Sequence, residues 1–136
     1  KMGVIGAMNT LCQEGAKYDI RVNALAPVAH TRMTDELLPE EAKALLQPEE
    51  VTPAVLALAA ADAPTGTILA AGAGGYAAAH IVESEGIWLP PGQRTPEAIL
   101  ERLDEVADLA TTAPLSAGGD QTMKFLGKAM SEGGPS

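Results

Sequence analysis

Aromatic side chains are scarce in this sequence: one tryptophan, one phenylalanine and two tyrosines make up 3 % of its 136 residues. The apolar residues, 46 % by count, are mostly alanine, valine and leucine. Because small side chains let layers of secondary structure approach closely, this composition favours helices and strands stacked in thin layers. The length favours one domain.

Basic residues and cysteine are also scarce. Nine Lys and Arg face 18 Asp and Glu, and the net charge of −9 argues against a nucleic-acid partner. A single cysteine, Cys12, excludes a disulfide framework and a cysteine metal cluster, and we expect it to pack in the core. The two histidines, His30 and His80, have no carboxylate or cysteine at ligand spacing, so no metal site is predicted.

Long apolar runs are absent. None reaches the roughly 20 residues of a membrane span, and no signal peptide opens the chain. We therefore expect a cytoplasmic protein with no membrane partner. The sequence starts at Lys1 with a helical pattern and no capping residue, which favours a start in the middle of a longer protein.

A helix followed by a strand is predicted first. Apolar residues at steps of three and four predict a helix over residues 2–16, ended by Gly15. The stretch "IRVNALA" then predicts a short strand over residues 20–25, buried on both faces as in a parallel sheet. This order fits half of a βαβ unit.

The same order then recurs. Residues 35–46 predict a short acidic helical region broken by Pro39. Thr52 is predicted to cap a helix with Pro53 in its first turn, and residues 67–71 predict a second buried strand. This order of helix, strand, loop, helix and strand indicates an α/β fold with a doubly wound parallel sheet.

Helices are also predicted beyond the second strand. The stretch "YAAAHIVESEGIWL" is expected to form an extended arm that Trp88 anchors by packing. Thr95, with Pro96 behind it, predicts the start of an amphipathic helix, and residues 121–130 predict a shorter final one.

The glycines of "GAGG", residues 72–75, invite comparison with a phosphate-binding loop. Such a loop needs G-x-G-x-x-G between a strand and a helix. Here the third glycine is out of register and no helix clearly follows, so a strand-end turn or a subunit contact is predicted. Ser84 and Ser116 lack a neighbouring His and Asp pattern, so neither is predicted to be a nucleophile.

The segment that leaves the first strand has the features of a ligand loop. Ligands of open parallel sheets bind at the carboxyl ends of strands. Pro27 fixes the direction of the chain, and the small Val28 and Ala29 let the backbone approach a planar ligand. Thr31 offers a hydroxyl, and Arg32 is either an anion partner or an ordinary surface residue. From the residues alone, a ligand loop and a surface loop both stay open.

These residues resemble the C-terminal half of the short-chain dehydrogenase/reductases. In that family, Y-x-x-x-K opens a long helix, and "RVNAVAPG" and a nicotinamide loop ending in T-x-M follow. Here Lys1 opens the helix and "IRVNALAPVAHTRMT" follows in the same order. Pro27-Val28 replaces the usual Pro-Gly and the loop to Thr31 is one residue shorter. Together with "PEEVTPAVLALAA" and the helical tail, this resembles the (3R)-hydroxyacyl-CoA dehydrogenase unit of peroxisomal multifunctional enzymes type 2 and its bacterial stand-alone relatives.

The resemblance implies an oxidoreductase that interconverts a secondary alcohol and a ketone, with NAD, or NADP, as cofactor and a 3-hydroxyacyl-CoA as substrate. It implies a Rossmann-like sheet, with residues 1–74 as the C-terminal half of a dinucleotide-binding domain and residues 75–136 as an extension. Residues 33–46 would cover the substrate as a mobile lid.

The resemblance also implies roles for individual residues. Lys1 would be catalytic and cofactor-binding, since it would bond the nicotinamide ribose and lower the pKa of a catalytic tyrosine four residues upstream. The glycine-rich loop, the acidic ribose binder and the catalytic serine would also lie upstream. Thr31 would lie at the carboxamide. The cofactor-binding residues implied besides Lys1 are Pro27, Val28, Ala29, His30, Thr31 and Arg32.

Assembly and the alternatives follow from the same resemblance. The first helix resembles the family's dimer helix, so a homodimer or homotetramer that includes the upstream half is expected. The alternatives are a non-catalytic oligomerisation or regulatory fragment, and a carbonyl or steroid reductase of the same family. We also predict that the chain alone is poorly folded and inactive, because half a parallel sheet leaves an unpaired edge.

Overall fold

The computed structural model describes residues 1–115 and 117–133 and divides the chain into two compact units, residues 1–79 and 80–136. Ser116 lies outside the described residues. The assignment of residues 1–74 to a dinucleotide-binding domain and of 75–136 to an extension stays a prediction. The two units are described in turn.

The first unit is an α/β unit built on a three-stranded sheet in the order β1-β2-β3. Strands β1 and β2 are parallel, with Ala24 opposite Ile68, whereas β3 is antiparallel to β2. A helical crossover joins the parallel pair, which confirms the predicted α/β class. Its elements are α1 (Met2–Gly15), β1 (Ala24–Pro27), α2 (Glu40–Leu45), α3 (Thr52–Leu58), β2 (Ile68–Gly72) and β3 (Gly75–Ala79), with short 3-10 helices at Ala16–Tyr18, Asp35–Leu37 and Pro48–Val51.

Helix α1 confirms the first predicted helix. Met8 is buried, while Met2, Val4 and Leu11 are exposed apolar side chains. The chain then reverses at Asp19, whose φ of 54° is left-handed. Helix α1 therefore presents apolar side chains that no described residue covers.

Strand β1 begins later than the predicted strand over residues 20–25. Val22 N–H donates to Thr65 Oγ1 at 3.1 Å, and the Asn23 side-chain amide donates to Pro64 O at 2.7 Å. The Asn23 side-chain oxygen in turn accepts from the N–H of Thr67 at 3.1 Å. These residues pair with a loop and not with a strand, so the ladder starts at Ala24.

The core of this unit lies on one face of the sheet. Val51, Ala54 and Ala71 are buried there, and the paired Leu25 and Leu69 pack against them. The prediction that β1 is buried on both faces is wrong, because its first two residues are half-buried and its last two are exposed.

The start of α3 differs from the prediction. Thr52 was predicted to cap the helix, but it is the first helical residue and no side chain caps this end. The reason is that the 3-10 helix Pro48–Val51 runs directly into α3. The first backbone amides of α3 therefore find their hydrogen-bond partners within the preceding 3-10 turn.

The glycines of "GAGG" form the turn between β2 and β3. Ala73 and Gly74 have φ of 48° and 73°, which is the left-handed pair of a type I′ hairpin. The predicted strand-end turn is confirmed. The predicted extended arm is corrected at its start, because residues 75–79 pair with β2 as a third strand.

The second unit combines a two-stranded ribbon with helices. Thr95 Oγ1 accepts from Ala98 N–H at 3.2 Å, which confirms the predicted cap. The helix behind it is broken at Arg102, whose φ of −114° leaves the helical range. The elements are β4 (Val82–Ser84), α4 (Pro96–Glu101), α5 (Leu103–Val106), β5 (Thr112–Pro114) and α6 (Gly118–Glu132), with β4 and β5 antiparallel.

Trp88 anchors this unit, as predicted. A Cβ added to Gly133 would lie 2.6 Å from the Trp88 ring, so the ring packs closely on the end of α6. The ring also lines a mainly apolar cavity of about 630 Å³ with Ile99 and Phe125. At its margin, Lys124 forms an ion pair with Glu83.

Candidate functional site

The exit loop, residues 27–32, begins where β1 ends and lies against the end of β2. Val28 N–H donates to Ala71 O at 2.8 Å, which extends the pairing by one residue. A Cβ added to Gly72 would lie 2.5 Å from the Val28 carbonyl oxygen and 2.9 Å from Val28 Cβ. The loop therefore approaches β2 closely at a position that only glycine allows.

Thr34 fixes the shape of the exit loop. Its Oγ1 accepts from Thr31 N–H at 2.9 Å, and its own N–H donates to Thr31 O at 2.9 Å. The hydroxyl also lies 3.4 Å from the carbonyl oxygen of Ala29. The site prediction did not include Thr34. A second threonine three residues after the first is the local signal of such a side-chain turn.

The peptide group between Val28 and Ala29 is unpaired in the exit loop. The N–H of Ala29 and the carbonyl oxygen of Val28 have no hydrogen-bond partner among the described residues. In a trans peptide these two groups point in opposite directions, and the carbonyl oxygen lies against Gly72, so only the N–H of Ala29 can meet a ligand. This N–H can donate to the carboxamide oxygen of a nicotinamide ring.

His30 connects the exit loop to the segment that follows it. The backbone N–H of His30 donates to Leu46 O at 2.6 Å, and its ring Nε2 lies 2.8 Å from Asp35 Oδ1. Asp35 also forms an ion pair with Lys43 at 3.0 Å, and Lys43 forms another with Glu40 at 2.7 Å. No carboxylate partner was predicted for His30. Asp35 is that partner, and it belongs to a cluster that the site prediction missed.

The charges of this cluster shift two pKa values. Hydrogen bonding from His30, and then from Lys43, lowers the pKa of Asp35. Hydrogen bonding to Glu40, and then to Asp35, raises the pKa of Lys43. Both charged forms are therefore favoured, and the contacts persist at neutral pH.

A groove of about 430 Å³ runs beside the exit loop. Its lining is mainly apolar, and Tyr76 at one side donates its hydroxyl to Glu50 O at 3.4 Å. Val28, which is 58 % exposed, forms part of the wall nearest to the loop. The lining residues are Val28, Leu46, Ala70, Ala71, Gly72, Gly75, Tyr76 and Ala77. The groove can receive a flat or apolar group beside the exit loop.

Lys1 lies at the start of α1 and is exposed. Near the other end of this helix, Cys12 Sγ donates to Val22 O at 3.2 Å, so the end of α1 lies beside the approach to β1. Cys12 itself is half-buried and not fully in the core.

The remaining predicted site residues lie in the exit loop. Pro27 is the last residue of β1, opposite Ala71. Thr31 is exposed, and its hydroxyl is 3.4 Å from that of Thr34. Arg32 is exposed and forms no ion pair with another described residue. Their roles towards a cofactor stay predictions.

Comparisons with known proteins find homologues that are longer than this chain. A scan against protein-family models finds no match. The peroxisomal hydratase-dehydrogenase-epimerase of Saccharomyces cerevisiae is 40 % identical over 111 residues, which are 79 % of this chain and 12 % of that protein. A short-chain type dehydrogenase/reductase of Mycobacterium tuberculosis is 56 % identical over 55 residues, 40 % of this chain and 19 % of that protein.

A solved structure matches nearly the whole chain. Full-length peroxisomal multifunctional enzyme type 2 from Drosophila melanogaster superposes with a TM-score of 0.79 at 26 % identity, covering 98 % of this chain and 25 % of that one. The resemblance drawn from the sequence is confirmed. The chain spans only 12 to 13 % of the length of the first curated relatives that it matches.

These relatives correct one prediction. A cytoplasmic location was predicted from the sequence, but four relatives that are 33 to 40 % identical to this chain are named as peroxisomal enzymes, so that prediction is wrong. Among the described residues, no helix is long and apolar enough to cross a membrane.

Proposed function

We propose that this chain, a homologue of part of the peroxisomal multifunctional enzymes and short-chain dehydrogenase/reductases, forms the nicotinamide side of an oxidoreductase site. The observation that carries the proposal is the unpaired N–H of Ala29 just beyond the carboxyl end of β1. Ligands of open α/β sheets bind at this edge. The full-length protein would interconvert a secondary alcohol and a ketone.

The residues of the exit loop would hold the cofactor. The N–H of Ala29 would donate to the carboxamide oxygen, with the Thr31 hydroxyl beside it. Arg32, which has no ion-pair partner among the described residues, would face the negative pyrophosphate. NAD, when bound, supplies the hydride acceptor. NADP would make the same contacts here, because NAD and NADP differ only at the ribose of the adenosine half.

Lys1 would serve the proton transfer. In the family that the chain resembles, the lysine bonds the nicotinamide ribose. Its positive charge also lowers the pKa of a neighbouring tyrosine, which can then take the proton of the alcohol. The exposed position of Lys1 at the start of α1 is consistent with this role.

A 3-hydroxyacyl-CoA is the substrate class that we propose. The relatives named hydratase-dehydrogenase-epimerase combine a dehydrogenase with a hydratase in one protein, and a hydratase and a dehydrogenase share a hydroxyacyl compound as product and substrate. The apolar groove between Val28, Leu46 and Tyr76 would take the part of the acyl chain next to the hydroxyl. The peroxisome is the location that the names of the relatives favour.

A contact between subunits is a second candidate role. Val4 and Leu11 on α1 are exposed apolar residues, and apolar side chains on one helix favour burial against another helix. We propose that α1 joins two copies of the protein in a homodimer. This role is compatible with the enzymatic one.

The test uses the full-length protein with NAD and the two enantiomers of a 3-hydroxyacyl-CoA, with formation of NADH followed by absorbance. We expect turnover of one enantiomer.

Lys1→Ala should lower kcat by about 10²-fold or more, the usual contribution of a general acid–base group. Lys17→Ala is the matched control: Lys17 lies over the Tyr18 ring at 4.9 Å, outside the site, and its loss should leave kcat unchanged. Absence of both NAD binding and NADH formation would refute the proposal. Turnover of steroid or other carbonyl compounds, without turnover of the 3-hydroxyacyl-CoA, would show that the proposed substrate class is wrong.

A further inference from the structure

The flap, residues 33–46, is tied at both of its ends to one residue of the exit loop. The backbone N–H of His30 donates to the carbonyl of Leu46, the last flap residue, at 2.6 Å. The side chain of the same histidine meets Asp35, near the start of the flap, at 2.8 Å. The flap is therefore a closed loop whose two ends meet at His30.

Asp35 joins three separate parts of this arrangement. It accepts from His30 in the exit loop, belongs to the first 3-10 turn of the flap, and pairs with Lys43 of α2 at 3.0 Å. The Lys43 side chain is only 16 % exposed, and Glu40 contacts the same ammonium group at 2.7 Å. One carboxylate thus links the loop, the start of the flap and the helix within it.

Apolar burial holds the flap only in part. Met33, Leu37 and Leu45 are 90, 78 and 66 % exposed, and of the large apolar side chains of the flap only Leu38 and Leu46 are half-buried. A segment with few buried apolar contacts opens at low free-energy cost. Isolated surface ion pairs are weak, but here His30 and Lys43 share one oxygen of Asp35 and act together with the backbone hydrogen bond from His30 to Leu46. The polar cluster therefore adds to the few apolar contacts that hold the flap.

We propose that Asp35 is a positioning residue that, through His30 and Lys43, clamps the flap against the exit loop and so holds Leu46 in the wall of the groove that would receive the substrate. The proposal rests on the proposed function for the identity of that substrate. The clamp itself follows from the contacts alone. Asp35 is not a catalytic residue, since it acts through the position of the flap.

Hydrogen exchange of the full-length protein, read by mass spectrometry, tests the clamp directly. Asp35→Asn keeps the size of the side chain but removes its charge. We expect amides of residues 35–46 to exchange about five- to tenfold faster, because the flap opens more often. Asp62→Asn removes one exposed carboxylate elsewhere in the same unit and should leave flap exchange unchanged. Unchanged flap exchange in Asp35→Asn would overturn the proposal.

Two further variants separate a clamp from general destabilisation. His30→Asn removes the ring but keeps the backbone N–H, and the double variant His30→Asn/Asp35→Asn should exchange about as fast as the faster single variant. Effects that simply multiply would show that the two side chains act independently and would overturn the clamp. Asp35→Glu keeps the charge and should restore much of the protection.

Steady-state kinetics provide the second measurement. With the flap loosened, KM for the acyl substrate should rise about fivefold or more while kcat changes less than twofold, since the reacting groups are untouched. A fall in kcat at constant KM would contradict a positioning role. If the full-length protein oxidises no hydroxyacyl-CoA, the proposed function fails, but the exchange experiment still decides whether the clamp exists.

Discussion

The carbonyl oxygen of Val28 lies where Gly72 leaves no room for a side chain: a Cβ at Gly72 would be 2.5 Å from it. The exit loop and the end of β2 therefore pack backbone against backbone. Gly72 is also where β2 enters the hairpin to β3, opposite Gly75. The position of the loop thus depends on a strand that lies far from it in sequence.

Gly72→Ala should displace the exit loop. The added methyl group meets backbone atoms that cannot move aside, so we expect a loss of about 1–3 kcal/mol in the free energy of unfolding, as for overpacked positions. Urea denaturation of the full-length protein measures it. Gly127→Ala is the control: that glycine lies inside α6 with nothing within 4 Å of an added Cβ, and its replacement should stabilise by about 0.5–1 kcal/mol. Equal effects of the two variants would contradict the close approach.

Thr34→Val should loosen the exit loop without changing its volume much. The substitution removes the hydroxyl that accepts from Thr31 N–H at 2.9 Å, a loss of about 1 kcal/mol. The expected result is faster exchange of the Thr31 amide and weaker NAD binding by calorimetry. Thr34→Ser keeps the hydroxyl and should resemble the parent protein. If serine and valine behave alike, the hydroxyl does not hold the loop.

Glu83 should make the second unit sensitive to acid. Hydrogen bonding from Lys124, and then from Gln121, lowers the pKa of Glu83 below the ordinary 4.5. Because the folded-state pKa is the lower one, the contribution to stability is fully present above about pH 4.5 and is lost as the pH falls through the folded-state value. Glu83→Gln should therefore flatten the pH dependence of unfolding in this acid range. Glu101→Gln, which removes an exposed carboxylate of α4, should leave the dependence unchanged.

Val4→Lys should weaken self-association of the full-length protein. A charge placed on the exposed apolar side chains of α1 would have to be buried in the proposed homodimer. Sedimentation should show a shift from dimer to monomer, whereas Thr10→Lys, at another exposed position of α1, should leave the dimer intact. A dimer unaffected by Val4→Lys would place the contact elsewhere.

Local signals in the sequence predicted the local structure well. The apolar period of α1, the "GAGG" turn and the Thr95 cap each depend on residues a few positions apart, and each was confirmed. The start of β1 could not be predicted in this way, because Val22 bonds to Thr65 and Asn23 bonds to Pro64, each across more than 40 positions of the chain.

The contacts of Asp35 with His30 and Lys43 could not be predicted from the sequence for a similar reason. Asp35 is five positions from His30 and eight from Lys43, but the three meet only because the flap folds back on itself. The residues of the exit loop were identified by resemblance and by their place after a strand. Their internal bonds depend on Thr34, which lies just beyond that segment. Cellular location is not a property of packing or charge, so composition could not supply it.

The open amide of Ala29 provides the most direct test of the nicotinamide side. Hydrogen exchange of this amide in the full-length protein is compared with and without saturating NAD, by mass spectrometry of peptides that span residues 27–32. Since the N–H has no partner among the described residues, it should exchange quickly in the free protein and at least tenfold more slowly when the carboxamide binds it. NAD binding that leaves the exchange of Ala29 unchanged would contradict the proposed site.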